Sequence, residues 1–352
     1  MTIVVLKIFI PATVAFLIGV GLTPFLAHFL YRYKMWKPKP GKLALDGKPA
    51  MIRNQLHASR DMGTPSFGGM VVWGGVLMSA GIFAILNYLF PASITFSTLA
   101  FISREQTWLP LAALMAGALV GFLDDWSEVK GGGGLRLRLR LGLVAVIAIF
   151  CAYWFYFKLG VSSITVPFVV TPVELGLLFI PLFVCVALFI YAGGVIDGID
   201  GLAGGVFASI FVAYAGISFF QSQHDIAALS AVIGGGLLAF VWFNIPPARF
   251  YLSETGTMGL TLALTVIVFL TDTVGEGRGL SVFPVIAILL VATVLSNISQ
   301  IFWKKAFGKK LLHVAPLHHH FEAMGWPPYK VTMRYWVVGI IAAIVGVTIA
   351  IL

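Results

Sequence analysis

Five carboxylates stand where polar loops meet long apolar segments of the chain. Asp124 and Asp125 occur in GFLDDW, Asp197 and Asp200 in GGVIDGIDGLAGG, and Glu254 in FYLSETG. A charged side chain at the edge of hydrocarbon is costly and usually faces a cavity, an ion or an opposite charge. One such acid alone is equally consistent with a helix N-cap. Five of them in three segments favour a shared site, in which a cation relieves their mutual repulsion.

The ligand chemistry of this group favours Mg²⁺. Both cysteines, Cys151 and Cys185, lie inside apolar runs, which excludes a disulfide framework and a cysteine-based zinc site. Mg²⁺ prefers oxygen ligands, typically one or two carboxylates together with substrate phosphates and water. The sequence therefore predicts phosphate chemistry at a membrane–water boundary. A cation-coupled transporter is the alternative, although its acidic residues should lie near the bilayer midplane.

Spacing predicts a different geometry for each of the two aspartate pairs. Asp197 and Asp200 would share one face if residues 197–203 are helical, because positions three apart are neighbours on a helix. Asp124 and Asp125 are adjacent and cannot both point the same way. We therefore expect the members of the second pair to have two different roles.

A histidine-rich segment near the C-terminus, PLHHHFEAMGWPP, follows four closely spaced lysines. His318, His319 and His320 cannot share one helical face, so a zinc site made of all three is sterically awkward. A solvated loop is one interpretation of the segment. Phe321 and Trp326 favour another, in which aromatic anchors hold the segment against the membrane face. There the histidines and lysines would suit an anionic, phosphate-bearing substrate.

The composition indicates which elements must position these residues. Of the 352 residues, 59% are hydrophobic and 11% are charged, whereas a soluble globular domain has about 25% charged residues. Such a chain must be solvated by lipid, and about 20 apolar residues in a helix span a bilayer. We therefore predict an all-α, polytopic integral membrane protein with about ten transmembrane helices. The predicted spans are about 2–30, 65–90, 108–123, 141–157, 175–192, 202–220, 226–243, 257–271, 280–303 and 335–352.

The basic residues predict the orientation of these spans. Of the 23 lysines and arginines, all but Lys7, Arg104, Lys158 and Arg278 fall in alternate connections. By the positive-inside rule those connections are cytoplasmic and both termini are extracytoplasmic. The net charge of +9 then reflects the membrane surface and not nucleic acid. We predict one domain over 1–352, with cytoplasmic loops at about 31–63, 124–140, 193–201, 244–256 and 304–334.

An arginine-rich run, LRLRLR at 135–140, follows four consecutive glycines. On a helix, Arg136 and Arg140 would share a face that excludes Arg138, whereas on a strand all three would lie along one edge. We predict that these arginines lie among lipid headgroups, and phosphate binding is the alternative.

The order of the motifs along the chain resembles one enzyme family. LDDW, DGIDGLAGG, FNIPPAR and PLHHHFEAMGWPP are similar to motifs of the polyprenyl-phosphate N-acetylhexosamine-1-phosphate transferases, from about residue 20 to the C-terminus. The triple-histidine segment resembles the MraY branch, the phospho-N-acetylmuramoyl-pentapeptide transferases, and GTPSFGG at 63–69 is similar to that branch's GTPTMGG. The resemblance implies ten transmembrane helices in the bacterial cytoplasmic membrane, a homodimer and Mg²⁺ dependence. It also implies transfer of phospho-MurNAc-pentapeptide from UDP-MurNAc-pentapeptide to undecaprenyl phosphate, which gives lipid I and UMP for peptidoglycan synthesis.

The same resemblance implies roles for individual residues. Asp124 would lie near the lipid phosphate, as its base or as a metal ligand, with Asp125 beside it. Asp197 would lie by the nucleotide, supported by Asp200, and the histidines would contact the phosphate or sugar of the substrate. The residues assigned to catalysis are Asp124, Asp125, Asp197, Glu254 and His318, and those assigned to Mg²⁺ are Glu254 and Asp197. The residues assigned to substrate binding are Asn244, Asp200, His319, His320, Arg60, Thr64 and Lys130.

Several positions depart from the family's motifs. Glu254 stands where the metal-binding motif has Asp, Gly194 where the family has Asn, and Glu128 where a Lys follows the Asp pair, with Lys130 two places on. Arg60 is the best match to a Lys before GTPTMGG. The extra methylene of glutamate moves a carboxylate by about 1.3–1.5 Å, which octahedral Mg²⁺ tolerates poorly. We interpret the chain as a divergent, active transferase. The alternatives are a sibling acting on another UDP-N-acetylhexosamine and a homologue that binds lipid carrier or nucleotide without turnover.

Overall fold

The structure, a computed structural model, describes residues 2–38, 63–103, 106–166, 171–272, 274–275 and 277–352. Their regular secondary structure is almost entirely helical, which confirms the predicted all-α class. One short antiparallel hairpin pairs Ser163 with Glu174. The helices and strands in chain order are α1 Thr2–Arg32, α2 Gly69–Leu89, α3 Ile94–Leu99, α4 Trp108–Ser127, α5 Leu137–Lys158, β1 Ser163–Ile164, β2 Val173–Glu174, α6 Phe179–Gly193, α7 Leu202–Phe220, α8 His224–Asn244, α9 Ser253–Leu270, α10 Gly279–Ile286, α11 Ile288–Phe307, α12 Leu317–Ala323 and α13 Pro328–Ile351.

The number of membrane spans agrees with the prediction. Within the described ranges, nine helices are long and apolar enough to cross a bilayer. The tenth candidate is the pair α10 and α11, which is bent by 74°. The bend falls at Ala287, whose φ of −99° and ψ of 28° are not helical. Apolar helices of this length are the form in which a chain can span lipid with every backbone group satisfied.

Helix α9 lies at the centre of the bundle. In its spanning window 89% of the residues are buried, against 22% for the peripheral helices α1 and α13. A helix that is apolar on all sides is expected in such a position. Its threonines do not oppose burial, because Thr261 and Thr265 donate their hydroxyls to the carbonyls of Thr257 and Thr261 at 2.7 and 2.8 Å. The first turn of α9, which carries Glu254, is therefore at the centre of one membrane face.

Helix α4 approaches this first turn very closely. A methyl group at Gly121 would lie only 1.9 Å from the carbonyl oxygen of Glu254, so glycine is required there. Asp124 and Asp125 lie one turn further along α4. The close approach therefore brings the aspartate pair of one motif to the glutamate of another.

The segment around the second aspartate pair is a turn. A 3₁₀ turn over Gly194–Ile196 ends at Asp197, and α7 begins at Leu202. Gly201 has a φ of +76°, a left-handed conformation that interrupts any helix across 197–203. The helix considered for these residues is therefore absent, and Asp197 and Asp200 do not share a helical face.

Candidate active site

Asp125, on α4, accepts hydrogen bonds from the first turn of α9. Its side chain is 2% exposed, and its Oδ2 accepts the Thr255 N–H at 2.8 Å and the Thr255 hydroxyl at 2.5 Å. A carboxylate that accepts an unpaired N–H in the first helical turn stabilises that turn in the manner of an N-cap. Asp125 thus positions the residue next to Glu254, and its predicted catalytic role stays a prediction.

Asp197 fixes the other neighbour of Glu254. Its Oδ2 accepts the Ser253 N–H at 2.8 Å, and the Ser253 hydroxyl accepts the Phe67 N–H at 3.0 Å. Ser253 has a φ of +52°, which non-glycine residues seldom adopt and which these two contacts stabilise. Asp197 and Asp125, which belong to separate motifs, therefore form hydrogen bonds with the residues on either side of Glu254.

Arg140 joins two of the predicted acidic residues directly. Its Nη1 lies 2.7 Å from Glu254 Oε1 and 3.3 Å from Asp124 Oδ2. Asp124, which is 3% exposed, also accepts the Leu135 N–H at 2.5 Å. The second oxygen of Glu254 lies 3.3 Å from the Thr257 hydroxyl that donates to it. A single guanidinium thus pairs with carboxylates from two distant motifs.

The prediction that all three arginines of the LRLRLR run lie among headgroups is wrong for Arg140. Arg136 and Arg138 are exposed, and their position among headgroups stays a prediction, whereas Arg140 is partly buried between the carboxylates. The glycine run before them folds the chain back onto α4, with positive φ values at Gly131, Gly133 and Gly134. The helical spacing that separates Arg138 from Arg140 was the available signal, but it does not say which face turns inward.

Glu128, which lies close to the Asp124–Asp125 pair, forms an ion pair with a lysine. Glu128, which replaces a lysine of the family's motif, lies 2.7 Å from the Lys37 Nζ. Both side chains are partly exposed, so the pair contributes little stability, about 0–1 kcal/mol. Lys37 therefore offsets the negative charge of Glu128.

The histidine segment packs against the turn that carries Asp197. His318 is fully buried and His319 is 5% exposed. A methyl group at Gly198 would lie 2.6 Å from His318 Nε2 and 2.8 Å from His319 Nε2, so the imidazoles rest directly on the backbone there. His319 Nδ1 lies 2.6 Å from Glu322 Oε2, which fixes the orientation of its ring.

His320 faces away from this contact. Its ring stacks on His313, with centroids 5.3 Å apart and an angle of 18° between the planes. Burial and the neighbouring His313 lower the pKa of His320. The structure therefore brings two of the three predicted histidines to the acidic residues, and the substrate-binding role of His320 stays a prediction.

Asn244 and Asp200 tie the loops of the site together. Asn244 accepts the Gly201 N–H and donates to the Phe250 carbonyl, both at 2.8 Å. Asp200 Oδ2 accepts the Ala248 N–H at 3.2 Å. These contacts join the turn before α7 to the segment between α8 and α9. They account for both side chains structurally, and substrate binding by them stays a prediction.

The remaining predicted residues lie around the edge of the site. Thr64 is partly buried, in a segment that pairs with the residues before α9 through the Tyr251 N–H and the Pro65 carbonyl at 2.9 Å. Lys130 is exposed, with its Nζ 5.1 Å from the centre of the Trp126 ring. Arg60 lies outside the described residues.

The carboxylates fit the ligand preference of Mg²⁺. Within the part of the chain that the structure describes, no three histidine, cysteine, aspartate or glutamate side chains are grouped to hold a metal ion. Asp124 and Glu254 both reach one guanidinium nitrogen, and Asp197 bonds to the residue before Glu254. A small set of carboxylate oxygens matches an ion that takes one or two carboxylates and completes its shell with phosphates and water.

These features define a polytopic membrane protein with a charged site, built from several connecting segments, at one end of its helices. Residues 107–272 match the family model described as glycosyl transferase family 4. Over 346 residues the chain is 31% identical to a phospho-N-acetylmuramoyl-pentapeptide-transferase from Listeria monocytogenes, covering 96% of each chain. It is 30% identical to the enzymes of that name from Bacillus pumilus and Bacillus subtilis, covering 95% of each chain. The chain belongs to the phospho-N-acetylmuramoyl-pentapeptide-transferase family, and it is a transferase.

Proposed function

We propose that the chain transfers phospho-MurNAc-pentapeptide from UDP-MurNAc-pentapeptide to undecaprenyl phosphate, releasing UMP and forming lipid I. The observation that carries the proposal is the convergence of three motifs on the first turn of α9. Asp124 reaches Glu254 through Arg140, and Asp197 bonds to Ser253. The histidine segment then covers the turn that holds Asp197.

The proposed reaction joins two anions. An oxygen of the lipid phosphate attacks the sugar-linked phosphorus of the UDP substrate and forms a new P–O bond. The bond from that phosphorus to the bridging oxygen breaks, and UMP leaves with the electron pair. Because like charges must meet, the site has to neutralise both partners and hold the attacking and leaving oxygens in line.

The residues of the site supply complementary parts of this task. Glu254 and Asp197 would hold Mg²⁺, and Asp124 would be a further oxygen donor. When bound, Mg²⁺ neutralises charge on the phosphate oxygens. Asp124 would receive the lipid phosphate, as its base or as a metal ligand, and Arg140 would hold the carboxylates in place. His318 and His319 would contact the phosphate or sugar of the UDP substrate.

The proposed location is the cytoplasmic face of the bacterial inner membrane. Nearly all the basic residues fall in the connections that we predict to lie on this face, where anionic substrates and lipids would be bound. The homodimer implied by the resemblance stays a prediction, and so does the extracytoplasmic position of both termini.

A panel of sugar nucleotides tests the proposal. Purified protein in detergent, given Mg²⁺ and undecaprenyl phosphate, should release UMP from UDP-MurNAc-pentapeptide and not from UDP-N-acetylglucosamine. The reverse preference would identify a sibling enzyme for another hexosamine. Binding of UDP-MurNAc-pentapeptide without release of UMP would identify a homologue that has lost turnover.

Two substitutions of Arg140 should distinguish the effect of its positive charge from the effect of its hydrogen-bonding geometry. Arg140→Gln leaves Asp124 and Glu254 without their shared cation, and we expect kcat/KM for UMP release to fall about 100-fold, because an unpaired, partly buried charge is costly. Arg140→Lys keeps the charge but not the fork of donors, and should lose about 10-fold. Arg138→Gln, an exposed neighbour, is the matched control. Equal activity of the Arg138 and Arg140 glutamine variants would refute this role.

Substitution of Gly198 should disturb the histidines selectively. Gly198→Ala places a methyl group against His318 and His319, and a displacement of about 1 Å can cost 10²-fold in rate. We expect kcat/KM for the UDP substrate to fall 10- to 100-fold, with a smaller change in the KM for undecaprenyl phosphate. The matched control is Gly142→Ala on α5, where a methyl group meets open space. Unchanged kinetics in the Gly198 variant would mean that the histidines do not contact substrate.

A further inference from the structure

A groove lies on the outside of the bundle, at the same membrane face as the candidate active site. It has a volume of about 590 Å³ and lies between the end of α1 and the segment that joins α8 to α9. This volume is within the usual range of ligand pockets, about 300–1,000 Å³. The lining residues are Pro24, Ala27, His28, Tyr31, Arg32 and Arg249.

The sequence of α1 places these residues on one face. Positions 24, 27, 28, 31 and 32 follow the spacing of a single helical stripe. The Tyr31 hydroxyl donates to the Arg249 carbonyl at 2.9 Å, which ties α1 to the far wall of the groove. The Arg249 guanidinium packs over the Phe243 ring, 5.7 Å from its centre. Both walls are therefore fixed by contacts within the chain.

The groove combines basic groups with an apolar floor. Arg32, Arg249 and His28 are exposed, and none of the lining residues in the described part of the chain is acidic. A nearby carboxylate, that of Asp200, is directed to the Ala248 N–H at 3.2 Å. Pro24 and Ala27 lie one to two turns deeper along α1, within the apolar span. This arrangement suits an anionic head whose apolar chains continue into the bilayer.

The surrounding aromatic side chains place the groove at the level of lipid headgroups. Tyr33 is 64% exposed and Trp242 is 65% exposed. Tyrosine and tryptophan concentrate at the membrane–water boundary because one end of each ring system is apolar and the other is polar. Phe25 and Phe29, exposed on α1 beside the groove, continue the surface toward the hydrocarbon.

We propose that this groove binds the phosphate headgroup of an anionic glycerophospholipid of the surrounding leaflet. Basic pockets between transmembrane helices are suited to such headgroups, and each lysine or arginine near the surface strengthens binding about fivefold. Arg32 and Arg249 face the phosphate, His28 and Tyr31 offer further polar contacts, and Pro24 and Ala27 support the first part of the acyl chains. This inference is independent of the proposed catalytic reaction.

Native mass spectrometry of the full chain in neutral detergent tests the inference. Dioleoylphosphatidylglycerol and dioleoylphosphatidylcholine have the same acyl chains, so their occupancies isolate the effect of headgroup charge. We expect the wild-type chain to prefer phosphatidylglycerol, and Arg32→Gln/Arg249→Gln to reduce its apparent affinity about 10- to 30-fold. Arg32→Gln alone, at an exposed helix end, should give an intermediate loss.

The control is Arg136→Gln/Arg138→Gln, which removes two exposed arginines elsewhere on the same face. This variant should keep the preference for phosphatidylglycerol. Equal losses in the two double variants would mean that the whole basic face, and not the groove, attracts the lipid, and would overturn the proposal. Stoichiometric displacement of phosphatidylglycerol by undecaprenyl phosphate would also overturn it, since the groove would then hold the carrier lipid.

Discussion

The Asp124→Asn protein should release UMP from UDP-MurNAc-pentapeptide about 10³-fold more slowly than the wild-type chain. The amide has the same shape but no negative charge, and it cannot pair with Arg140 while accepting the Leu135 N–H as the carboxylate does. Loss of one preorganised electrostatic contact typically costs 10²–10³ in rate, and in the proposed reaction the lost group would also face the lipid phosphate. The measurement is the initial rate of UMP release at saturating substrates.

Asp272→Asn is the matched control for this variant. Asp272 is 1% exposed at the opposite end of α9, and it accepts hydrogen bonds from the N–H groups of Thr165 and Leu280 at 2.8 and 3.0 Å. Burial raises the pKa of Asp272, and the residue is as well buried as Asp124 but lies away from the candidate site. The Asp272→Asn protein should release UMP at the wild-type rate per mole of folded protein. More than a tenth of the wild-type rate in folded Asp124→Asn would refute the role given to Asp124.

The Glu254→Gln protein should show the second large effect. This change removes the carboxylate that Arg140 contacts at 2.7 Å and that is held between Ser253 and Thr255 by two aspartates. We expect the rate of UMP release to fall at least about 100-fold. The dependence of the remaining rate on Mg²⁺ should weaken as well, because a carboxylate assigned to the ion is lost. The measurement is a Mg²⁺ titration of UMP release.

The Glu254→Asp variant distinguishes the effect of the negative charge from the effect of the side-chain length. It restores the residue of the family's motif and keeps the negative charge, but it withdraws the carboxylate by about 1.3–1.5 Å. We expect this variant to retain Mg²⁺-dependent release of UMP at well above the rate of Glu254→Gln. If both variants fall to the same background rate, the site has been rebuilt around the longer side chain. If both keep the wild-type rate, Glu254 is not part of the site.

The fold could be predicted from the sequence because the lipid environment restricts the structures that the chain can adopt. Each span is a long apolar run, and lipid leaves a chain few ways other than a helix to satisfy its backbone groups. The tenth span was also predicted as a run at 280–303, but its 74° bend was not. The bend falls at Ala287, three residues after Pro284, and a proline in an apolar run does not by itself indicate how sharply the helix bends.

The candidate site was accessible only in part. The acids at helix ends were visible because charge beside hydrocarbon is unusual, and the structure joins Asp124, Asp197 and Glu254 around one helix end. Arg140 was not singled out, because an arginine beside a membrane span is ordinarily a headgroup contact. Its inward position follows from the close approach of α4 to α9 at Gly121, which is a tertiary feature.

The departures from the family's motifs acquire a physical explanation once the chain is folded. Glu254 is longer than the aspartate of the motif, and the guanidinium of Arg140 meets its carboxylate. Glu128 reverses the charge of a motif lysine, and Lys37 lies against it at 2.7 Å. Arg140 and Glu254 are 114 residues apart in the sequence, and Lys37 and Glu128 are 91 residues apart. Spacing within one motif could not have revealed them.

A double-mutant cycle on Arg140→Lys and Glu254→Asp tests most directly whether these distant residues form one working unit. Both changes keep the charge, so the rate of UMP release stays measurable in all four proteins. Residues in direct contact should be coupled, and we predict that the loss in the double variant is several-fold smaller than the product of the two single losses. Losses that multiply to within about twofold would mean that Arg140 and Glu254 act independently, and would contradict the shared site.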